Sequence, residues 1–511
     1  MNEINTHIHE MIHFDIIRLI KGGEGITFCD GKAFFIANVL PGETGTAEIF
    51  EEKPRFGRAR VVERFTSSPD RRTDDSCPFA NQCDGCGFRT PTHDSALRYK
   101  AQPIYDEIAK AAKIDLPPYE LYPVPNDSKR QRIRLHWTNQ GCGFFARLSH
   151  SIIAASACVA IDNHLRLCAK WLEENTTIAQ HIKTPFHIDV QIDLDDDGNA
   201  YAAFKPIVQG DKSDRRDQTH RSNKTHRSGK RSNQATNKCS NQAANKRSQT
   251  EDATNRASAN LSSSINSLIE EISQKAFDEK IFLGIVTPHA TYGETMISST
   301  TPAPSTFDAP STFDAISTLS ASELPCTTTF RRVGDFSQAL PRANAIIHTL
   351  LAQFLDDAIR TATHPLTAAD LFAGSGNLTF RIATKLPRVA AYELFCAPNA
   401  FQRGVEYNAN AFCPNAHPTL DLFDLNAGLP EAAKTADIIV CDPARNGLSP
   451  QLTRDICHAS ARFIFYVSCE ASSLARDLVT LKSQFTVEKI AFIDMFPETP
   501  HVETIAILKR I

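Results

Sequence analysis

Asp370-Leu371-Phe372-Ala373-Gly374-Ser375-Gly376-Asn377 is the stretch whose reading decides the fold. An apolar run, Ala368 to Phe372, carries an acid and breaks into Gly-x-Gly, after which Thr379 to Thr384 has helical character. Glycines at such a strand-to-helix turn let backbone amides approach a ligand closely at the positive end of the helix. The third glycine of a dinucleotide fingerprint is absent, because Thr379 stands in its place. Glu393 closes the next apolar run, Arg388 to Glu393, where a carboxylate can accept hydrogen bonds from ribose hydroxyls. This order suits S-adenosylmethionine better than a nicotinamide dinucleotide. The plainer alternative is a tight turn with an exposed acid.

Outward from this stretch, the chain from about Asp335 alternates short apolar strands with helices. Ala343 to Thr361, Ala400 to Ala411 and Leu474 to Lys482 read as helices. Asp437 to Cys441 and Phe463 to Val467 read as strands, and Val487 to Met495 with Glu503 to Leu508 ends the sheet. Such a pattern implies a doubly wound sheet covered on both faces, with ligands at the carboxyl ends of its strands. Three motifs fall at those ends. Cys441-Asp442-Pro443-Ala444-Arg445 places an acid–proline pair there; a simple turn is the alternative. Phe465-Tyr466-Val467-Ser468-Cys469 puts a thiol between a buried strand and a helix that Ser472 or Ser473 could cap. A helix N-terminus lowers a thiol's pKa, which makes Cys469 a candidate nucleophile; a buried structural cysteine is the alternative. In Pro500-His501-Val502-Glu503 the two-residue period puts His501 and Glu503 on one face as candidate bases, or as a solvated pair.

Residues 12 to 64 read as four or five short strands punctuated by Gly22, Gly23, Gly25, Gly31 and Gly42, the pattern of a small OB-like barrel. Cys77-x5-Cys83-x2-Cys86 follows in a polar loop with Pro78, Gly85 and Gly87. Three thiols so close are soft-metal ligands, and zinc or an iron–sulfur cluster usually takes a fourth, for which Cys158 and Cys142 are the nearest downstream. Ala96 to Ala112 and Leu165 to Ile182 have helical spacing, and Ile188 to Phe204 reads as a hairpin turning at Asp195 to Asn199. Ile281 to Val286 and Tyr292 to Ile297 read as strands between two insertions, about 206–265 and 298–329. Both insertions are expected to be disordered, the first because it is too polar to bury a core.

At 511 residues the length suggests about three domains. Hydrophobic residues at 41% and charged residues at 22% are ordinary for a globular chain and exclude a collagen-like or wholly disordered one. Without a long apolar stretch or a leader-like start, the reading is a cytoplasmic protein with no membrane partner. In a reducing cytosol, 14 cysteines favour metal ligands, a nucleophile or buried thiols over disulfides. The net charge of −4 hides an asymmetry. Lys205 to Asn260 carries 13 Lys or Arg against 5 Asp or Glu, so the remainder is strongly acidic.

Taken together and in this order, these motifs resemble the RNA uracil-C5 methyltransferases, in particular the TRAM-domain, iron–sulfur members that act on 23S rRNA. The resemblance spans nearly the whole chain outside the insertions. It implies a multidomain α/β protein: a TRAM barrel in 1–66, a central α+β domain with the iron–sulfur loop in 67–335, and a Rossmann-like class I methyltransferase domain in 336–511. It implies S-adenosylmethionine and a 4Fe–4S cluster as cofactors, the cluster on Cys77, Cys83, Cys86 and Cys158. Cofactor contacts are implied from Gln338, in Phe336-Ser337-Gln338, and from Phe372, Asn377, Glu393, Asp424 and Asp442. The nucleophile falls on Cys469 and the base on Glu503. RNA is the implied partner and a monomer the expected state, with tRNA as an alternative substrate and a non-catalytic RNA-binding protein as the competing class. The family usually has Asn-Pro after the nucleophile, where this chain has Glu470-Ala471, and Pro500 is also a departure.

Overall fold

The structure, a computed structural model, describes residues 10–73, 76–80, 82–83, 85–147, 149–207, 262–301 and 325–511. Most of both insertions, including the basic run, lies outside the described residues. Their margins are ordered against expectation: a helix covers 262–278, and Met296–Thr301 pairs with Thr327–Arg332 as two antiparallel strands.

The N-terminal unit has β1 (Met11–Asp15), β2 (Arg18–Leu19), β3 (Gly25–Cys29), β4 (Lys32–Ile36), β5 (Thr44–Glu52) and β6 (Phe56–Thr66). They form one sheet in the order β1-β5-β6-β4-β3-β2 around Ile12, Phe14, Phe34, Ile36, Ala47 and Ile49. Gly45 sits where a Cβ would lie 2.1 Å from the Glu63 carbonyl oxygen, so no larger residue fits there. Helix α1 (His93–Ala112) and β7 (Tyr119–Tyr122) follow.

The central sheet uses β8 (Arg132–Thr138), β9 (Gly141–Phe145), β10 (Ile152–Ile153), β11 (His187–Leu194), β12 (Ala200–Pro206), β13 (Gly284–Val286) and β14 (Thr291–Gly293). Its order is β10-β9-β8-β11-β12-β13-β14. Alternate residues Ile133, Leu135, Trp137, Ile188, Val190 and Ile192 pack under α2 (Asn163–Glu174) and α3 (262–278), while the other face carries Arg132, Arg134, His136, His187 and Asp189. The strand pair Met296–Thr301 and Thr327–Arg332 (β15, β16) leads to the last unit.

That unit contains α4 (Pro341–Arg360), β17 (Thr367–Leu371), α5 (Asn377–Ala383), β18 (Arg388–Glu393), α6 (Pro398–Tyr407), β19 (Thr419–Leu422), β20 (Ile438–Cys441), α7 (Pro450–His458), β21 (Phe463–Ser468), α8 (Ala471–Leu481), β22 (Phe485–Ile493) and β23 (Glu503–Arg510). Eight strands line up as β19-β18-β17-β20-β21-β23-β22-β7. β23 runs antiparallel to both neighbours, and the other pairs are parallel. One face packs on α1, α7 and α8 and the other on α4 and α5. Strand order reverses between β17 and β20, which opens the ligand cleft at their carboxyl ends. The outermost strand, β7, and the covering helix α1 come from the segment assigned by sequence to the central domain, so a boundary at 336 cuts through this sheet. Helix α1 is tied to the end of β22 by a buried ion pair, Lys100 Nζ to Asp494 Oδ1 at 2.7 Å.

Candidate active site

β17 ends at Leu371, and the next residue already leaves the right-handed region. Phe372 has φ of 63°, Gly374 of 55° and Gly376 of 92°. Phe372 and Ala373 both donate from their backbone N to the Tyr392 carbonyl, at 3.0 and 3.2 Å, which folds the loop over β18. A Cβ on Gly376 would lie 2.6 Å from Phe380 Cζ, while one on Gly374 would meet nothing within 4 Å. The two glycines therefore do different things: Gly376 allows the helix to pack, and Gly374 leaves the approach to the loop open. Glu393 accepts from the Gly374 N at 3.2 Å and from the Leu394 and Phe395 amides at 2.8 and 3.0 Å. Its remaining lone pairs can take a ligand's hydroxyls, as the sequence reading requires.

Beneath the loop lies a group the sequence reading did not single out. Asp370 is fully buried and accepts from the Thr379 hydroxyl at 2.6 Å, while its Oδ1 has no partner. Burial pushes its carboxyl up to about 7, and the charges of Asp442 and Glu393 push the same way. The sequence signal was an acid inside an otherwise apolar strand.

Cys469, Glu503 and Asp442 come together through strand register. Ser468 on β21 pairs with Thr504 on β23 as the last pair of that ladder, and Cys469 and Glu503 are the residues just beyond it. Leu371 pairs with Cys441, and Cys441 with Tyr466, which brings Asp442 to the same end of the sheet. Glu503 is 3% exposed, with Oε1 unpartnered. Burial and the Asp442 charge hold its carboxyl well above the usual range, opposed by Arg445. Burial pushes the Asp442 carboxyl up to about 7. The Cys469 thiol is pushed up to about 12, by burial first and then by Glu503 and Asp442. The direction is opposite to the lowering expected of a helix N-terminus, because burial and two carboxyl groups act on the thiol. The α8 cap is Glu470, whose carboxylate receives the Ser472 amide at 3.5 Å, and neither serine caps it. Glu470 also pairs with Lys21 of the N-terminal sheet. His501 lies just ahead of β23 and faces Arg445, with Nε2 and Nη2 3.3 Å apart; the charge of the same arginine acts on Glu503.

The other expected contacts divide. Gln338 donates from Nε2 to Asp442 Oδ2 at 3.4 Å, so it belongs to the site. Phe372 is partly buried against the core and shapes the loop. The Asn377 side chain is spent elsewhere, exchanging hydrogen bonds with Asn344 at 2.9 and 3.0 Å and facing His348 Nε2 at 3.0 Å. Only its backbone, at the start of α5, is left for a ligand. Asp424 is exposed at the end of β19 and accepts from the Asn426 amide at 3.0 Å. A depression lined by His364, Thr367, Arg388, His417 and Asp437 lies at the amino ends of the strands, away from these groups.

The cysteine loop packs where the units meet. Cys83 bridges Ala146, and the Phe88 amide donates to the Glu498 carbonyl at 2.9 Å. Glu498, at φ of 66°, also receives Arg72 at 2.7 Å and Arg89 at 3.4 Å, which ties the loop to the segment carrying Glu503. Burial raises the Cys158 thiol, and Cys77 and Cys83 raise it further; burial and Cys158 raise that of Cys86. Cys77, Cys83 and Cys86 therefore each lie within reach of the Cys158 thiol. Cys142, 2% exposed, sits in the central core instead. Among the described residues no helix is long and apolar enough to cross a membrane.

Comparison with known proteins gives the same picture. The family described as tRNA (Uracil-5-)-methyltransferase matches residues 427–511, which hold Asp442, Cys469 and Glu503. An RNA methyltransferase of Halalkalibacterium halodurans is 24% identical, covering 98% of this chain and 97% of that one. The 23S rRNA (uracil(1939)-C(5))-methyltransferase RlmD of Pseudomonas putida is 23% identical, covering 97% and 93%. The crystal structure of a Pyrococcus abyssi tRNA (uracil-54, C5)-methyltransferase with S-adenosyl-L-homocysteine superposes with a TM-score of 0.58 at 17% identity, covering 99% of this chain and all of that one.

Proposed function

We propose that the chain is an RNA uracil-C5 methyltransferase, which methylates C5 of a uracil in RNA, with 23S rRNA as the substrate, using S-adenosylmethionine. The observation that carries this reading is the placement of Cys469 and Glu503 just beyond the Ser468–Thr504 pair, where the Glu503 charge acts on the thiol. Uracil C5 is a weak nucleophile. A thiolate added at C6 converts the ring to an enolate whose C5 can take a methyl group, and the C5 proton must then leave before the thiolate can. Cys469 supplies the thiolate and Glu503 accepts the C5 proton.

The residues fit the cofactor. Gly374 opens the loop, Glu393 offers lone pairs at the ribose position, and the Gln338–Asp442 pair lies next to Cys469. S-Adenosylmethionine supplies the methyl group and a positive sulfonium. In the free chain the Cys469 thiol, pushed up to about 12, holds its proton at neutral pH, and burial raises the Glu503 carboxyl as well. A positive charge among them favours their charged forms, so the nucleophile is released when the site is filled.

The target uracil must be unstacked before a thiolate can reach C6. The sheet over residues 11–66 we read as a TRAM-type RNA platform. The four cysteines Cys77, Cys83, Cys86 and Cys158 we assign to a 4Fe–4S cluster of structural role, supported by the reach of the first three to the Cys158 thiol and by their place at the junction of the units. Uracil methylation needs no electron transfer. Purified protein with labelled S-adenosylmethionine and separate rRNA and tRNA pools tests the substrate. Label in 5-methyluridine of 23S rRNA is expected, whereas label confined to tRNA moves the assignment to tRNA.

A further inference from the structure

On the outward face of the central sheet, three side chains outside every motif discussed so far converge on one point. His136 on β8 lies opposite Asp189 on β11, and His187 is two residues before Asp189, so all three project to the same side. His136 Nδ1 is 3.0 Å from His187 Nε2 and 3.0 Å from Asp189 Oδ1, and His187 Nε2 is 3.0 Å from the same Oδ1. Both ring nitrogens can donate to Asp189 Oδ1, which leaves the 3.0 Å contact between the two nitrogens without a hydrogen bond of its own. Three donor atoms at right angles around one ion, about 2.1 Å from it, would stand about 3.0 Å apart. The face-on ring of Phe145, 4.0 Å from that of His136 at 6°, fixes the imidazole orientation, and His150 meets Phe145 edge-on at 5.0 Å.

We propose that His136, His187 and Asp189 form a binding site for a divalent first-row transition ion, separate from the cysteine cluster. Two imidazoles and a carboxylate are the donor set such ions prefer. The carboxylate offsets part of the ion's charge, and the sites opposite the three donors remain for water. The ion ties β8 to β11 under Phe145. The following residue, Ala146, forms the bridge to Cys83, so the site braces the sheet edge on which the cysteine loop rests.

Cobalt(II) and zinc(II) are the probes. The full chain, loaded with iron anaerobically and stripped of loosely held metal, takes up one further equivalent of cobalt. Its spectrum shows weak visible bands without the near-ultraviolet thiolate charge-transfer band that cysteine ligation would give. A Cys86→Ser variant keeps this uptake even where it loses iron. Asp189→Asn, which preserves shape, and the double variant His136→Asn/His187→Asn lose it, while methyl transfer and far-ultraviolet circular dichroism stay as in the parent. Added zinc raises the melting temperature of the parent and leaves that of Asp189→Asn unmoved. No uptake by the parent, uptake that persists in Asp189→Asn and the double variant, or a thiolate-type spectrum would overturn the proposal.

Discussion

At the residue scale, the central feature is the proposed nucleophile, Cys469, whose thiol is pushed up to about 12 by burial and by Glu503 and Asp442. Alkylation of Cys469 by iodoacetamide in the free chain should therefore be slow at pH 7 and rise roughly tenfold per pH unit above it, read by peptide mass spectrometry. Saturating S-adenosylmethionine should speed that reaction, and neutral S-adenosylhomocysteine should not, because only the former brings a positive charge. Equal rates with both would remove the sulfonium from the account of activation. Glu503→Gln should trap the chain on RNA as a denaturation-resistant adduct, since the thiolate leaves only after C5 loses its proton; a gel showing free RNA alone would contradict the assigned base. The carboxyl beneath the loop gives a pH dependence of the opposite kind. Asp370 is raised from 3.8 to about 7, so the folded state holds its proton more tightly than the unfolded chain does. Its contribution to stability is complete below about pH 4 and lost as pH rises through about 7. Asp370→Asn should flatten the fall in melting temperature over that window, and an unchanged slope would mean the carboxyl is already ionised.

At the scale of elements, two features can be tested by single changes. Gly376→Ala forces a Cβ to within 2.6 Å of Phe380 at a φ of 92°. It should weaken S-adenosylmethionine binding at least tenfold by calorimetry, with the loop rather than the sheet disturbed. Lys100→Met leaves Asp494 buried without its cation and should cost about 3–5 kcal/mol in denaturant unfolding. The Gly-x-Gly turn, the end of β18 at Glu393 and the strand carrying the Val-Ser-Cys motif were legible in the sequence because each joins a local pattern to a polar residue at a strand end. The strand Tyr119–Tyr122 was not, since its four residues acquire meaning only by pairing with Phe485–Ile493 far along the chain. Helix 262–278 was hidden for a related reason: its apolar residues directly follow a long polar run. The His136–His187–Asp189 triangle was illegible because it depends on the register of two strands. The partners of the Asn377 side chain, Asn344 and His348, were illegible for the same cause, lying on another helix.

At the scale of the whole molecule, the end of the sheet that holds Cys469 and Glu503 is fastened from outside. Lys21 reaches Glu470 beside Cys469, and Arg72 and Arg89 hold Glu498 ahead of Glu503. The cysteine loop that these arginines flank should bind about four irons per chain as a 4Fe–4S cluster, and Cys86→Ser should lose them. Stoichiometric zinc without iron after anaerobic purification would reject that cluster. The basic run lies outside the described residues, and removing residues 209–260 should leave cofactor binding intact; unchanged RNA affinity across a salt series would reduce the run to a spacer. The most direct test of the account is methyl transfer from labelled S-adenosylmethionine to RNA by the parent chain and by Cys469→Ala, with nucleosides resolved after digestion. The account predicts label in 5-methyluridine for the parent and none for the variant, whose cofactor affinity stays unchanged; 5-methyluridine formed by the variant would contradict it.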